Sequence, residues 1–522
     1  MEKRVLTAAL VCAIFLSWYS QTILKPLSSR SHAGSQSARA APPSPMAVAV
    51  KPDRRPHVDP SENVIHLVSS ELDLEVGTTT GAIRRVTLKK FPDAGGKSPI
   101  RFGMTAPVLV PELEAGTASL KLIQASSDKA EFEGVSTNGN SYHILYTVGS
   151  DKPLLYIRLI NMISVRDIEN ERLKLLVSWQ KSDNLSNRYN QLEASLLTGD
   201  SLKSAHKYQR YIAPIKTERI VPRGTTLLSL TDRYFCISLR PEDEQFAITM
   251  LPSEGETIAA EATVALQNTV AAAQPSVALT AYFGPRGHLY LEKYGLEEAF
   301  PMGILGNIGL GLLGILSWFA GIAHNHGVAI ILLSVLVTCV TAPFTLLSFK
   351  SMKKMQELKP QMDKIMAQHK ENPQQANREV FGLYKKHRVS PLSGCLPMLL
   401  QMPIFLALFQ AISHDIELRG KSFLWIADLS LPDRLAKLPI SLPLLGDYLN
   451  ALPVIMAVAM FLQTRLSQQS MPADKTNPAA SIMSGPLMSV LFGVMFYQFP
   501  SGLVLYWLTN SVMSIVWYRL AR

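Results

Sequence analysis

The sequence predicts a polytopic α-helical membrane protein, an N-terminal anchor plus a five-helix core, carrying a large antiparallel β-sandwich domain outside the membrane. Three observations predict it. Of the 522 residues 47% are hydrophobic and only 18% charged, less charge than a soluble chain usually carries. The stretches Phe300 to Phe349, Val389 to Ser413 and Thr476 to Tyr518 contain no Asp, Glu, Lys or Arg. Between the first apolar segment and these stretches, short alternating or β-branched runs recur with turn residues between them, the pattern of an all-β domain. The length itself calls for at least two units.

The opening Met1-Glu-Lys-Arg4 is a basic flank to Val5 through Leu24, about the 20 residues a helix needs to cross a bilayer. Trp18-Tyr19 stands at the expected interface and no A-x-A site follows closely, so 1–24 reads as an uncleaved anchor rather than a signal peptide. The Ser-, Ala-, Pro- and Arg-rich stretch 25–62 is a linker. From 63 to 298 come the strand-like runs, among them Val64–Val68, Leu72–Val76, Ile83–Leu88, Tyr142–Val148, Leu173–Trp179, Tyr234–Leu239, Thr263–Leu266 and Val277–Phe283. Residues 299–522 form the helical core. Within it 302–322 is rich in Gly; were it a span, the basic segment that follows would fall on the opposite side from Lys3 and Arg4, so it reads as an interfacial helix. The spans are then 328–349, 389–413, 449–465, 481–499 and 502–519, the last two joined by the turn Phe499-Pro-Ser-Gly502. Both termini fall inside and the β domain outside.

Residues 350–388 form a basic inside loop. Ten cations from Lys350 to Arg388 face only Glu357, Asp363, Glu371 and Glu379, while Met352, Met355, Met362, Ile365 and Met366 recur at helical spacing and Glu371-Asn-Pro373 breaks the helix. The result is an antiparallel helical hairpin whose basic positions Lys353, Lys354, Lys385, Lys386 and Arg388 suit ribosomal RNA or anionic lipid headgroups. The net charge of +10, from 51 Lys and Arg against 41 Asp and Glu, agrees with an anionic partner without choosing one.

Enzyme chemistry finds little support. Four scattered cysteines with no CxxC pair offer neither a disulfide framework nor a zinc site, and no cofactor or metal is expected. Gly95-Gly-Lys-Ser98 ends like a phosphate loop, but its first glycine would have to stand at Phe91. No ionisable residue sits in the middle of a core span, which argues against a coupled solute transporter. What the spans do carry is uncharged polarity. Ser334, Thr338, Thr341 and Thr345 fall on one helical face, and Gln401, Gln463, Tyr506, Thr509, Asn510 and Ser514 occupy other spans. Each hydroxyl alone is most simply bonded back to its own helix; stripes on several helices together suggest a hydrated cavity.

Lys353-Lys-Met355, Leu358-Lys-Pro360, Pro391-Leu-Ser-Gly-Cys-Leu-Pro397, Gln401-Met-Pro-Ile-Phe-Leu-Ala-Leu408 and Phe499-Pro-Ser-Gly-Leu-Val-Leu-Tyr506, in this order of anchor, outside domain and core, closely resemble the YidC family of bacterial membrane-protein insertases. The resemblance implies a five-helix core around a hydrophilic groove open to the cytoplasm and lipid but closed outside. It also implies a periplasmic domain like a sugar-mutarotase supersandwich, which by itself suggests no sugar chemistry. Further, it implies the inner membrane of a Gram-negative bacterium, both termini in the cytoplasm, nascent membrane proteins as substrates and the Sec translocon as partner, with no bond made or broken. The groove so implied is Ser334, Thr338, Thr341, Thr345, Gln401, Gln463, Tyr506, Trp507, Thr509 and Asn510, and the receiving hairpin surface is Met352, Lys353, Lys354, Met355, Lys385, Lys386 and Arg388. Two positions depart from the family pattern: Thr338 stands where many members carry a groove arginine, and Trp507 where a second tyrosine is common. Two rival functions are an envelope assembly chaperone without insertase activity and a small-solute transporter.

Overall fold

The computed structural model describes residues 61–93, 98–103, 106–113, 116–161, 172–181, 191–200, 203–242, 245–253, 256–265, 276–300, 303–369, 372–387, 389, 396–442, 445–468 and 486–520. The anchor, the linker as far as residue 60, Arg388 and the stretch Pro391 to Cys395 lie outside them. The chain divides at residues 301 and 302 into two compact units.

The β unit holds, among the described residues, β1 (Val64–Val68), β2 (Leu72–Gly77), β3 (Ile83–Pro92), β4 (Pro99–Phe102), β5 (Leu109–Leu113), β6 (Thr117–Ala125), β7 (Lys129–Ser136), β8 (Ser141–Val148) and β9 (Leu154–Asn161). It continues with β10 (Arg172–Gln180), β11 (Glu193–Asp200), β12 (Lys203–Ile212), β13 (Arg219–Thr231), β14 (Phe235–Pro241), β15 (Phe246–Met250), β16 (Thr257–Ala265) and β17 (Ser276–Pro285). Every pairing among them is antiparallel. One run of neighbours is β6-β7-β8-β9-β17-β14-β13; a second is β13-β15-β16-β10-β5-β3-β2-β1. They share β13, where the register slips between Val221 and Thr225 and Gly224 takes φ +121°, a conformation only glycine adopts without strain. The slip lets one long strand serve both runs.

Alternation makes the core. In β8 Tyr142, Ile144, Tyr146 and Val148 point inward, and in β16 Ile258, Ala260, Ala262 and Val264 do the same. The two runs face each other through aromatic rings: Phe102 of β4 stacks on Trp179 of β10 at 4.3 Å and meets Phe235 of β14 edge-on at 5.5 Å. The exit from the β unit belongs to the same core. Helix α1 (His288–Glu292) and the short 3-10 turn Glu297–Ala299 bury Leu291, Leu296 and Ala299 against Leu197, Leu227, Cys236 and Tyr282.

The helical unit contains α2 (Ile304–Ala323), α3 (His326–Glu357), α4 (Lys359–Gln368), α5 (Pro373–Lys386), α6 (Leu396–Ser413), the hairpin β18 (Ala436–Leu442) and β19 (Gly446–Leu449), then α7 (Ala451–Gln468), α8 (Pro486–Phe496) and α9 (Ser501–Leu520). By length and composition α2 and α3 could each cross a membrane, and α6 and α7 contain shorter apolar helices. Helix α9 is central, packing along both α3 and α7, while α2 packs on α6 and α3. At Gly309 of α2 a Cβ would lie 2.7 Å from the Ala407 carbonyl oxygen of α6, so only a small residue permits this approach, whereas a Cβ at Gly311, Gly314 or Gly321 would meet nothing within 4 Å. The basic hairpin begins inside α3 itself, which runs unbroken past residue 349 to Glu357 before Leu358 and Pro360 start α4.

Candidate functional site: a polar bridge between two apolar helices

Helix α3 begins at Asn325, whose side chain accepts hydrogen bonds from the backbone N–H of Gly327 and Val328 at 2.9 and 3.1 Å, satisfying donors that a helix start otherwise leaves bare. Its hydroxyl stripe then bonds backwards. Ser334 donates to Ile330 O, Thr338 to Ser334 O, Thr341 to Val337 O and Thr345 to Thr341 O, at 2.8, 2.6, 3.0 and 3.2 Å. Each donor is thus spent on its own helix, as hydroxyls in apolar helices usually are. Exposure grows along the stripe: Ser334 is fully buried and Thr338 is 4% exposed, whereas Thr341 and Thr345 are half-buried. The polar face is closed toward Asn325 and opens toward Lys350.

Helix α9 is pinned at its start. The N–H groups of Ser501 and Gly502 donate to Leu431 O and Leu429 O, both at 2.8 Å, and Ser501 Oγ donates to Asp428 O at 3.1 Å. From this fixed end Tyr506 and Asn510 lie about 8 and 14 Å along the axis. There Gln401 of α6 reaches across: its Nε2 donates to Tyr506 Oη at 2.8 Å, and its Oε1 accepts from Asn510 Nδ2 at 3.0 Å. This bridge ties α6 to α9 by amide and phenol groups inside apolar helices, where an unpaired partner would be costly.

The other sequence-derived positions go elsewhere. Thr509 donates to Leu505 O at 2.9 Å and lines an apolar cleft on another side of α9. Trp507 enters an aromatic cluster, 5.1 Å from Phe405, 5.8 Å from Phe492 and 5.3 Å from Phe496, so its indole joins α6, α8 and α9. Gln463 sits half-buried on α7, two residues before the exposed Arg465. On the basic hairpin Met352 is buried and Met355 half-buried, while Lys353, Lys354, Lys385 and Lys386 are exposed; Tyr384 Oη lies 3.1 Å from Met362 Sδ and joins α5 to α4. Among the described residues no group of three or more His, Cys, Asp or Glu could hold a metal ion.

Sequence reasoning missed the closure of the other end. The Phe423 ring occupies the space where a Cβ on Gly327 would stand. Asp433, 5% exposed, accepts from Leu452 N at 2.8 Å, capping α7, and from Trp425 Nε1 at 3.2 Å. Asn450 Nδ2 donates to Tyr497 O at 2.6 Å, and Asn450 N to Tyr497 Oη at 3.0 Å. Trp425, an aromatic in the segment between two apolar stretches, is the one legible signal; Asp433 and Asn450 look in sequence like loop residues.

The family model described as 60Kd inner membrane protein matches residues 318–521. A membrane protein insertase YidC of Endomicrobium trichonymphae is 40% identical over 239 residues, covering 45% of this chain and 44% of that protein. One of Geobacter sulfurreducens is 37% identical over 289 residues, 52% of this chain and 51% of its own. The chain thus spans about half the length of the curated relatives it matches. Among solved structures, an active YidC insertase crystal structure with the first transmembrane domain resolved aligns with 88% of this chain and 93% of its own at TM-score 0.38 and 17% identity. Residues 318–521, which hold the bridge and the basic hairpin, are thus similar to the 60Kd inner membrane protein family model, and the relatives that this chain resembles are named as YidC insertases.

Proposed function

We propose that this protein is a membrane-protein insertase and chaperone that moves apolar segments of nascent proteins from the cytosol into the inner membrane through a polar groove, with no bond made or broken. The observation that carries the reading is the Gln401–Tyr506–Asn510 bridge, to which α3 adds a hydroxyl stripe whose exposure grows toward its basic end. A client must carry its polar flank across roughly 30 Å of hydrocarbon, and each charged residue at mid-membrane costs about 2.5–3.5 kcal/mol on the insertion scale. Polar groups partway through shorten that path, and the client's apolar part then passes sideways into lipid. With Thr338 rather than arginine on this face, the groove works through dipoles instead of a fixed positive charge.

In this reading 1–24 is an anchor, 302–322 an interfacial helix and the five core spans follow, with both termini cytoplasmic and a periplasmic β domain of supersandwich type. The hairpin 350–388 receives the client and meets ribosomal RNA or anionic headgroups, and the Sec translocon is a partner for some clients. Proteoliposomes containing this protein alone test the function. A short-tailed client should gain protease protection of its translocated tail. No protection together with saturable solute uptake would make the protein a transporter, and no protection with improved client folding would make it an assembly chaperone.

A further inference from the structure

About a third of a turn around α9 from the bridge, Leu505, Leu508, Thr509 and Val512 line a second feature, a cleft of about 420 Å³ whose other walls include Ile331 and Val335 of α3. The turn Phe423–Ile426 roofs one end. That roof is fixed: Phe423 N donates to Ile426 O and Ile426 N to Phe423 O, both at 2.9 Å, Phe423 sits on Gly327, and Trp425 is tied to the capping carboxylate of Asp433. No charged side chain lines the cleft, and the hydroxyl of Thr509 is spent on Leu505 O. An occupant therefore has to be apolar along its whole inserted length.

From Leu505 to Met513 the cleft follows α9 for about 12 Å. Because α3 and α9 pack directly on each other, it is a furrow between touching helices rather than a gap that a client helix could enter, and an unbranched hydrocarbon chain can lie along it. Next to these lining positions along the chain, Leu332 and Leu336 on α3 and Val516 on α9 are exposed apolar residues in charge-free stretches of the two helices, as is the lining residue Val512, and in the membrane reading such a surface faces hydrocarbon. Beside the mouth the partly exposed Trp425, its N–H held by Asp433, stands where an aromatic residue meets the headgroup layer. We propose that this cleft binds one acyl chain of a bilayer phospholipid, lodged between α3 and α9 beneath the Phe423–Ile426 roof. The proposal rests on the reading of this unit as membrane-embedded, but not on insertase activity.

The test uses the full chain in phosphatidylethanolamine–phosphatidylglycerol liposomes doped with a phosphatidylcholine bearing a diazirine in mid-chain, irradiated and mapped by mass spectrometry. Adducts at Leu508 and Val512 should exceed those at Val490 and Leu491, exposed residues of α8, by roughly tenfold per site, the ratio given by a preference of about 1.4 kcal/mol over annular lipid. Val335→Phe, which fills the cleft, should bring Leu508 down to the Val490 level and leave Val490 unchanged. Equal labelling of both faces in the unmodified protein would overturn the proposal without any variant. So would a Leu508 signal that Val335→Phe leaves intact, or one displaced by a translocating client. Absence of label on both faces would instead overturn the membrane reading, so the two failures are distinguishable.

Discussion

Gly327 joins helix start and loop at a single position, because its missing side chain is where the Phe423 ring lies. Gly327→Ala should displace that ring and destabilise the helical unit by about 1–3 kcal/mol, the cost of overpacking a filled site. Thermal unfolding in detergent should show the loss, with partial recovery in Gly327→Ala/Phe423→Ala; an unchanged single variant would mean that the loop does not dock there. In the bridge, Tyr506→Phe removes the acceptor of Gln401 Nε2 and should cost about 1–3 kcal/mol, as a buried donor without a partner does. Replacing all three with apolar residues, Gln401→Leu, Tyr506→Phe and Asn510→Leu, should recover much of that stability. Insertion of clients with polar tails should nevertheless stay impaired, and equal activity of triple variant and parent would confine the bridge to packing. Two residues beyond α6, burial pushes the carboxyl of Asp415 from 3.8 up to about 6, against the hydrogen bond it accepts from Glu417 N. A folded-state pKa above the unfolded one favours the protonated form, so this contribution is complete below about pH 4 and is lost as pH rises through 6. Asp415→Asn should therefore flatten the stability profile between those values and raise stability at pH 7 by at most about 3 kcal/mol, as pH-resolved unfolding would show.

At the scale of elements, sequence signals succeed where one physical cause dominates. Strands β8 and β17 alternate large apolar and half-exposed residues, and their periodicity is plain. Strands β7 and β12 are less legible: in Lys129-Ala-Glu-Phe-Glu-Gly-Val-Ser136 three of the four outward positions are charged and the inward ones include Ala130 and Gly134, so the pattern is present but the apolar signal is weak. Thr263–Leu266 reads as a four-residue strand, yet β16 runs from Thr257 to Ala265, since alanines that look indifferent in sequence fill a tight core position at 260 and 262. The basic hairpin has one break more than its sequence pattern suggests, at Leu358 before Pro360, because Pro at the start of α4 cannot continue α3. Deleting 359–386 should remove most insertion at matched membrane levels, whereas a deletion within the β unit should leave most of it, because in the proposed topology only the hairpin meets a client from the cytosol. Equal losses in a depletion strain would refute that division of labour.

For the whole molecule, composition and the placement of charge determine the division of this chain into a β part and a membrane-type helical part, because apolar runs of membrane length and alternating strands follow from hydration and hydrogen bonding within each segment. Motif strings likewise carry the resemblance of residues 318–521 to a family model. The polar positions carry a local signal too, since hydroxyls and amides at helical spacing in charge-free apolar stretches are unusual. Which of them meet is another matter. Tyr506, Trp507, Thr509 and Asn510 are near neighbours in sequence, yet the structure sends Tyr506 and Asn510 to Gln401, Trp507 into an aromatic cluster with Phe405 and Phe496, and Thr509 to the apolar cleft. At 100° per residue Tyr506 and Asn510 share a face while Trp507 and Thr509 point elsewhere, and only the packing of α3, α6 and α7 around α9 assigns each direction a neighbour. The same holds for Asp433 and Asn450, ordinary loop residues until the tertiary fold buries them against the ends of α7 and α8, because burial and partnership are properties of chain segments brought together from distant positions.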